Sequence, residues 1–398
     1  MVEGLNILFT TADFPYPLIG GERIKQFYIL KHLASNNNIF LVGLDHGYKI
    51  TKDYLDELIK IGIKPFAFEV NHIKAYMNAA LFSPLGHPME IEFFRHKGYK
   101  NKIREILKSN KIDLTLTHFI RTAEFVKNLK TKKILFAEDC RSHYQERTYK
   151  VSNNLRQKLI RNYEYKKLRK YETEILNSFN ITTLVTNEDV MQMKSLNPNA
   201  DIRLLSNGVN QDIFVPPLDN KIRKDILFVG KLDCWANELI VDRIVNIIFP
   251  EIIKEKPNTR LHIVGANPKK KLFKIINDNI QIHADVTNIV PFLQKAALFL
   301  HPHVGGSGIQ NKVLEAMSCG CPVVTTQSGA RGIDIINGQN GFVADSKDEF
   351  VEYSLRLLDD SELRNQIGKN ARNLAVSNHS WENIFNTLDD IIIDALNQ

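Results

Sequence analysis

At 398 residues the chain exceeds what one hydrophobic core usually organises, so two domains of roughly 150 to 200 residues are expected. Hydrophobic content of 43% and charged content of 24% are those of a soluble globular protein, and no apolar run approaches the ~18 residues of a membrane span. The net charge of +7 is uneven: residues 1–200 carry 31 basic against 21 acidic side chains, and residues 201–398 carry 21 against 24.

In chain order, the first half alternates short apolar strands with amphipathic helices. The pattern predicts strand 5–10, helix 22–33, strands 39–44 and 65–70, helix 100–107, strands 114–117 and 133–137, a long helix 155–176 and strand 181–186. Such alternation predicts a parallel sheet covered on both faces. The pattern restarts after Pro216-Pro217, with strand 225–229, helix 237–248, strands 260–264 and 280–283, helix 289–295, strand 297–300, a helix from about Gln310 and strand 322–326. The proline pair therefore marks the expected linker. The fold class read here is α/β: two Rossmann-like, doubly wound domains, residues 1–215 and 216–379, facing a central cleft. Ligands are expected at the carboxyl ends of the strands.

The most informative stretch is His301 to Thr326, HPHVGGSGIQNKVLEAMSCGCPVVTT. Glycines at 305, 306 and 308 let backbone N–H groups approach a ligand, and the following helix aims its positive dipole end at the same place, so an anion belongs there. Lys312 in the first turn adds a full charge suited to a diphosphate, and Glu315 offers an acceptor pair for two sugar hydroxyls. That outlines a nucleotide-sugar pocket. Elsewhere, Gly20-Gly21 after the first strand reads either as a tight turn or as backbone approaching a ligand, and Arg23 follows on a helix. His118 and Glu138-Asp139 end two strands, where either His118 or Asp139 can handle an acceptor hydroxyl proton or hold the transferred sugar, or be structural. Arg121 and Arg141 bind an acceptor phosphate or balance these acids.

Strand, small-residue loop and K-V-L-E-A-M-S-C-G-C-P-V-V together resemble the donor-site signature of the GT-B glycosyltransferases of glycosyltransferase family 4, nearest the bacterial surface-polysaccharide sugar transferases. The resemblance extends through Gly20-Gly21, Leu205-Ser206-Asn207-Gly208-Val209, Phe228-Val229-Gly230 and His379-Ser380-Trp381. It implies that residues 1–215 bind the acceptor, with a crossing helix from about 380 to 398 returning to them, and that residues 216–379 bind the donor. It further implies donor contacts from Gly21, Lys231, Gly306, Ser307, Gly308, Ile309, Asn311, Lys312, Glu315 and Asp285, acceptor contacts from Arg23, Arg121 and Arg141, and catalytic roles for Asp139 and His118. The expected reaction moves a sugar from a nucleotide diphosphate sugar to a hydroxyl of a glycan or lipid-linked oligosaccharide, with retention of anomeric configuration. Trp381 is expected to pack at the hinge.

One departure stands out: family members carry two glutamates eight positions apart, and the position eight before Glu315 is Ser307. The polysaccharide-transferase branch shares this small, glycine-rich version. Two other readings remain open on sequence: a sugar-nucleotide epimerase of the same fold, and a silent subunit that binds nucleotide-sugar or glycan as a scaffold. No metal or other cofactor is expected. His301-Pro302-His303 lacks a third ligand at suitable spacing, no Asp-x-Asp occurs, and helix dipole and lysine can supply the charge. Cys140, Cys234, Cys319 and Cys321 show no ligand or disulfide pattern, so reduced thiols are expected, and with no leader pattern before the first strand the expected location is cytosolic. Seven basic residues from Arg156 to Lys170 include one acid, Glu164, and a second basic stretch runs from Arg95 to Lys111. These read as solvated helix faces or as attraction to an anionic membrane surface or phosphate-bearing acceptor. No nucleic-acid motif accompanies them, so a nucleic-acid partner is not expected.

Overall fold

Runs of Ile, Leu, Val and Phe bounded by turn residues form thirteen strands in a computed structural model, which describes every residue except 1, 19, 20, 46, 48, 152, 153, 219–222, 306 and 307. The chain divides into two units, 1–206 with 384–398, and 207–383. Unit 1 is built on β1 (Asn6–Thr11), β2 (Asn38–Asp45), β3 (Ile63–Glu69), β4 (Leu114–His118), β5 (Lys132–Glu138), β6 (Ile181–Leu184) and β7 (Ile202–Leu204). Every pairing is parallel, in the order β3-β2-β1-β4-β5-β6-β7. The central strands are apolar on both faces because helices cover both: Ile7, Leu8 and Phe9 in β1 and Leu114 and Leu116 in β4 are fully buried. Each such side chain contributes about 1.5–3 kcal/mol of burial.

Unit 2 repeats the plan with β8 (Lys224–Val229), β9 (Leu261–Gly265), β10 (Ile280–Ala284), β11 (Ala296–His301), β12 (Val323–Thr325) and β13 (Phe342–Val343). All are parallel, in the order β10-β9-β8-β11-β12-β13. In both sheets the strand order reverses once, between β1 and β4 and between β8 and β11. Crevices for ligands open at such points, beyond the carboxyl ends. The two Rossmann-like sheets read from the sequence are both present.

Several local elements differ from the expectation. Between β2 and β3, where no helix is expected, the structure has Lys52–Lys60, begun by Thr51, whose hydroxyl accepts from the Tyr54 N–H. Helices His72–Phe82 and Met89–Phe93 also precede Lys97–Ser109, the wider form of the expected 100–107 helix. The helix expected over 237–248 begins at Trp235, and its end, Ile244–Ile248, is wound as a π-helix. Pro250 in the next turn has no N–H to donate back to residue 246, which relaxes the regular ladder there. The divide between units falls after Ser206, ahead of the Pro216-Pro217 pair, because Val209 forms a bridge to Ser380 and donates its N–H to the His379 carbonyl at 2.7 Å. Beyond that bridge the last helix, Trp381–Asn397, runs on into residues that belong to unit 1, where His32 stacks on Phe385 at 4.2 Å and pairs with Asp389 at 3.1 Å.

Candidate active site

The unit 2 pocket begins where β8 ends. Gly230 and Gly265 allow the segments after β8 and β9 to cross: a Cβ on Gly265 would lie 1.7 Å from the Gly230 carbonyl oxygen. This crossing fixes Lys231, whose ammonium lies 3.7 Å from the Asp233 carboxylate and keeps contact with solvent. Asn237 in the next helix donates its amide to the Lys231 carbonyl at 2.9 Å, and its amide oxygen accepts from Lys312 Nζ at 2.7 Å. One asparagine thus ties the β8 loop to the helix after β11.

That helix, Asn311–Ser318, starts at Gln310 without any side-chain cap, so its first N–H groups and positive dipole end are left for an anion. Gly305 and Gly308 take positive φ of 77° and 70°, which only glycine adopts without strain, and they turn the loop into the helix. Gly306 and Ser307, both expected donor contacts, lie outside the described residues. Ile309 is buried in the core that also holds Val313 and Met317, and the Asn311 amide oxygen accepts from Asn207 at 2.8 Å. Lys312 lies 5.6 Å from the centre of the Phe228 ring. Burial pulls its pKa down to about 8, with the Cys234 thiol and Glu315 opposing, and burial pushes Glu315 up to about 7, with Lys312 opposing. Glu315 still keeps a solvent-accessible edge, and water there weakens the rise. The pocket therefore holds a cation and an acid that both gain from a ligand that completes their solvation. Asp285 takes φ of 49° after β10, and its carboxylate accepts from the Asn267 N–H at 2.8 Å.

His301 ends β11 fully buried. Thr325 donates its hydroxyl to the His301 carbonyl at 2.9 Å and so must accept from His301 Nδ1 at 3.1 Å, which assigns the ring proton to Nδ1. His303 pairs with Ser328 at 3.1 Å, and burial, with Lys312 and Arg331 adding, lowers it to about 4, so this ring is neutral at physiological pH. Among the described residues no three His, Cys, Asp or Glu side chains gather as a metal site.

The mid-chain and late motifs of the resemblance meet in unit 2. Gly208 lies against the Trp381 indole so closely that a Cβ would come within 2.4 Å of the ring, and His379 Nδ1 lies 3.3 Å from the Asn207 carbonyl oxygen. Trp381 is thus a packing residue that holds Asn207 against the start of the Asn311–Ser318 helix.

In unit 1 the candidates gather at the carboxyl ends of β1, β4 and β5. His118 is fully buried with its Nε2 3.5 Å from Glu138, which Lys25 pairs at 3.0 Å; Lys25 also donates to the Leu205 carbonyl at 2.9 Å. Burial works against the Glu138 carboxylate, but Lys25 and His118 hold it down at about 2. Phe119 and Glu138 take positive φ of 65° and 68°, turning the chain sharply beside His118 and Asp139 at a cost of order 1–3 kcal/mol each. Asp139 pairs with Arg141 at 3.2 Å, and Arg141 and Arg121 both grip Glu90, at 3.1 and 2.7 Å. Burial would raise Glu90, and the two guanidiniums overcome it, holding the group at about 2. Arg121 also reaches Asp13 at 3.3 Å, and Arg23 donates to the Tyr16 carbonyl at 3.1 Å with Asp13 at 3.8 Å. Beside them stands Glu22, in the first turn of the helix that opens with Gly21; Gly20 lies outside the described residues. Burial, with Asp13 and Asp139 adding and Arg121 and Arg141 opposing, pushes Glu22 up to about 7, although it is open to solvent, which weakens the rise.

The structure thus brings Arg121, Arg141 and Asp139 into one network and places Arg23 at its Asp13 end. Asp13, Glu22 and Glu90 join them without having been read from the sequence. Asp13 and Glu22 could have been noticed, since they follow β1 and open the next helix; Glu90 reaches the network from the short helix Met89–Phe93 and carries no local signal. In unit 2 the missed residue is Asn237.

Residues 223–360 match the family described as Glycosyl transferases group 1. An uncharacterized 44.6 kDa protein of the cps region of Klebsiella pneumoniae is 22% identical over 401 residues, covering 96% of this chain and 98% of that protein. CapM of Staphylococcus aureus, a capsular polysaccharide biosynthesis glycosyltransferase, is 25% identical over 207 residues, 47% of this chain and 52% of CapM. Apart from the Klebsiella protein, the matches span about half of each curated relative, 43% to 52%. Among solved structures, Anabaena HepE in complex with UDP and glucose superposes with a TM-score of 0.68 at 13% identity, over 98% of this chain and 99% of that one. Two parallel Rossmann-like sheets and these likenesses give the chain the GT-B fold, with residues 223–360 similar to the glycosyl transferases of group 1.

Proposed function

We propose that the protein transfers a sugar from a nucleotide diphosphate sugar to a hydroxyl of a glycan or lipid-linked oligosaccharide in surface-polysaccharide assembly, with retention and without a metal. The observation that carries this is the Lys312–Asn237–Lys231 chain at the uncapped start of the Asn311–Ser318 helix, with Glu315 one turn on. Negative charge grows on the diphosphate as the glycosidic bond breaks, and Lys312, Lys231 and the helix N–H groups stabilise it there. Glu315 accepts two hydroxyls of the donor ribose. Unit 1 receives the acceptor: its arginines hold an acceptor phosphate, and Asp139 or Glu22 takes the hydroxyl proton. The cps-region relative and CapM support the assignment to capsule or other surface polysaccharide.

Product analysis tests this. Radiolabelled nucleotide sugars incubated with the protein and a membrane extract are expected to give labelled glycan only when acceptor is present, with the anomeric configuration of the donor kept. An epimerised nucleotide sugar in the absence of acceptor would replace the proposal with the epimerase reading.

A further inference from the structure

The two basic stretches of unit 1 are physically unlike. Residues 95–111 include no exposed large hydrophobic side chain, whereas the second stretch lies on helix Leu155–Ile175 with Leu155 73%, Leu159 64%, Ile160 47% and Tyr163 38% exposed. At 100° per residue these four, with Arg156, Lys166, Lys167 and Lys170, fall within an arc of about 140° on one helix face. The single acid between Arg156 and Lys170, Glu164, is turned inward, where it accepts the N–H groups of Met89 and Glu90 at 3.0 and 2.7 Å.

A second apolar face abuts the first. Helix His72–Phe82 and the turn after it leave Ile73 76%, Tyr76 67%, Met77 56%, Leu81 62% and Leu85 80% exposed. Residues 72–85 contain no acid and one lysine, Lys74. The two segments are joined where Ser83 Oγ meets the Tyr163 hydroxyl at 3.2 Å and Lys167 Nζ donates to the Ser83 and Gly86 carbonyls at 3.2 Å each. A soluble surface rarely gathers this many large apolar side chains. Apolar side chains ringed by Lys and Arg, with Glu164 turned inward and Glu174, beside Lys170 at the far end of the helix, the one acid on the arc, match the boundary of an anionic bilayer, where apolar groups enter the acyl region and each base near the lipid phosphates adds attraction.

We propose that helices His72–Phe82 and Leu155–Ile175 together form a docking face for an anionic lipid bilayer. This rests on the reading of a lipid-linked acceptor, because no helix among the described residues is long and apolar enough to cross a membrane and the enzyme must meet such an acceptor from the surface. The face brings unit 1 to the lipid, and its own residues take no part in the transfer chemistry.

The test is co-sedimentation of the full chain, without nucleotide or acceptor, on phosphatidylcholine vesicles with and without phosphatidylglycerol. Binding is expected only with phosphatidylglycerol, and the Leu81→Ser/Leu159→Ser/Ile160→Ser variant should lower the partition coefficient by at least about tenfold. Lys166→Gln/Lys170→Gln should lower it by about tenfold, with the effect vanishing in high salt. Lys254→Gln/Lys347→Gln, on unit 2, should leave it unchanged. All these side chains are exposed, so folding is expected to persist, and circular dichroism checks it. Absence of vesicle binding, or binding that the first two variants do not weaken, would overturn the proposal. So would concentration-dependent self-association, read by light scattering, that the triple serine variant abolishes, since it would give the face to a second copy. Transfer to a soluble acceptor without vesicle binding would remove this face and keep the transferase reading; vesicle binding without any transfer would do the reverse.

Discussion

Lys312 and Glu315 lie one helical turn apart in a pocket that disfavours the charge of both, and this is where function and stability pull in opposite directions. Glu315 has its pKa raised from 4.5 to about 7, so the cost of its charge is absent below about pH 4.5 and complete above about pH 7. Glu315→Gln should therefore raise stability at pH 8 but not at pH 4. The shift corresponds at most to about 3 kcal/mol, and to about 1–2 kcal/mol once its solvent-accessible edge is allowed for, readable as a higher midpoint in urea. The same variant should weaken nucleotide binding, because the amide offers the ribose hydroxyls one uncharged acceptor oxygen where the carboxylate offers two charged ones. Equal or lower stability at pH 8 would contradict the account. The pair also sets a pH window: diphosphate affinity should rise as Glu315 ionises near pH 7 and fall as Lys312 loses its proton above about pH 8. Titrations across pH 6 to 9.5 should give a bell, and Lys312→Ala should remove its alkaline limb.

At the scale of elements, the unit 2 pocket depends on a clamp that touches no ligand. Asn207, Gly208 and Val209 are held by His379, Ser380 and Trp381, and Asn207 in turn holds Asn311 at the head of the helix. Gly208→Ala would drive a methyl group to 2.4 Å from the indole, so either the ring or the segment must move. The expected loss is about 1–3 kcal/mol, with a matching rise in nucleotide Kd as Asn311 loses its support; unchanged melting and unchanged Kd would show that the clamp is idle. In unit 1 the corresponding support is Glu172, which accepts the N–H groups of Arg141 and Ser142 at 2.7 and 3.1 Å and so fixes the chain after Asp139. Burial raises Glu172 to about 7. Glu172→Ala should leave these buried N–H groups unpaired, costing about 2–4 kcal/mol and lowering transfer more than donor binding. An equal loss of both would place the effect outside unit 1.

Across the whole molecule, what the sequence made legible was whatever repeats or lies close together. Parallel strands buried on both faces show as continuous apolar runs, so both sheets could be read, and the glycine loop, Lys312 and Glu315 fall within one short segment whose spacing already implies a helix start. Hidden from such a reading were contacts made across long sequence distances. Asn237 reaches Lys312 over 75 positions and Glu90 reaches Arg141 over 51, and neither has any local pattern that marks it. Helix His72–Phe82 was hidden for another reason: it turns an apolar face outward, so the period that normally marks a core-facing helix is inverted there. Lys312, a charge in a helical turn by sequence, proves to be the end of a chain through Asn237 to the β8 loop.

The central claim is that this pocket holds a nucleoside diphosphate by lysine and helix dipole. It is tested most directly by calorimetric titration of the purified protein, without added metal, against UDP, GDP, dTDP and ADP. The account predicts micromolar binding of one of them, weakened at least tenfold, about 1.4 kcal/mol, by Lys312→Ala. Binding of none of the four, or binding that Lys312→Ala leaves intact, would contradict it.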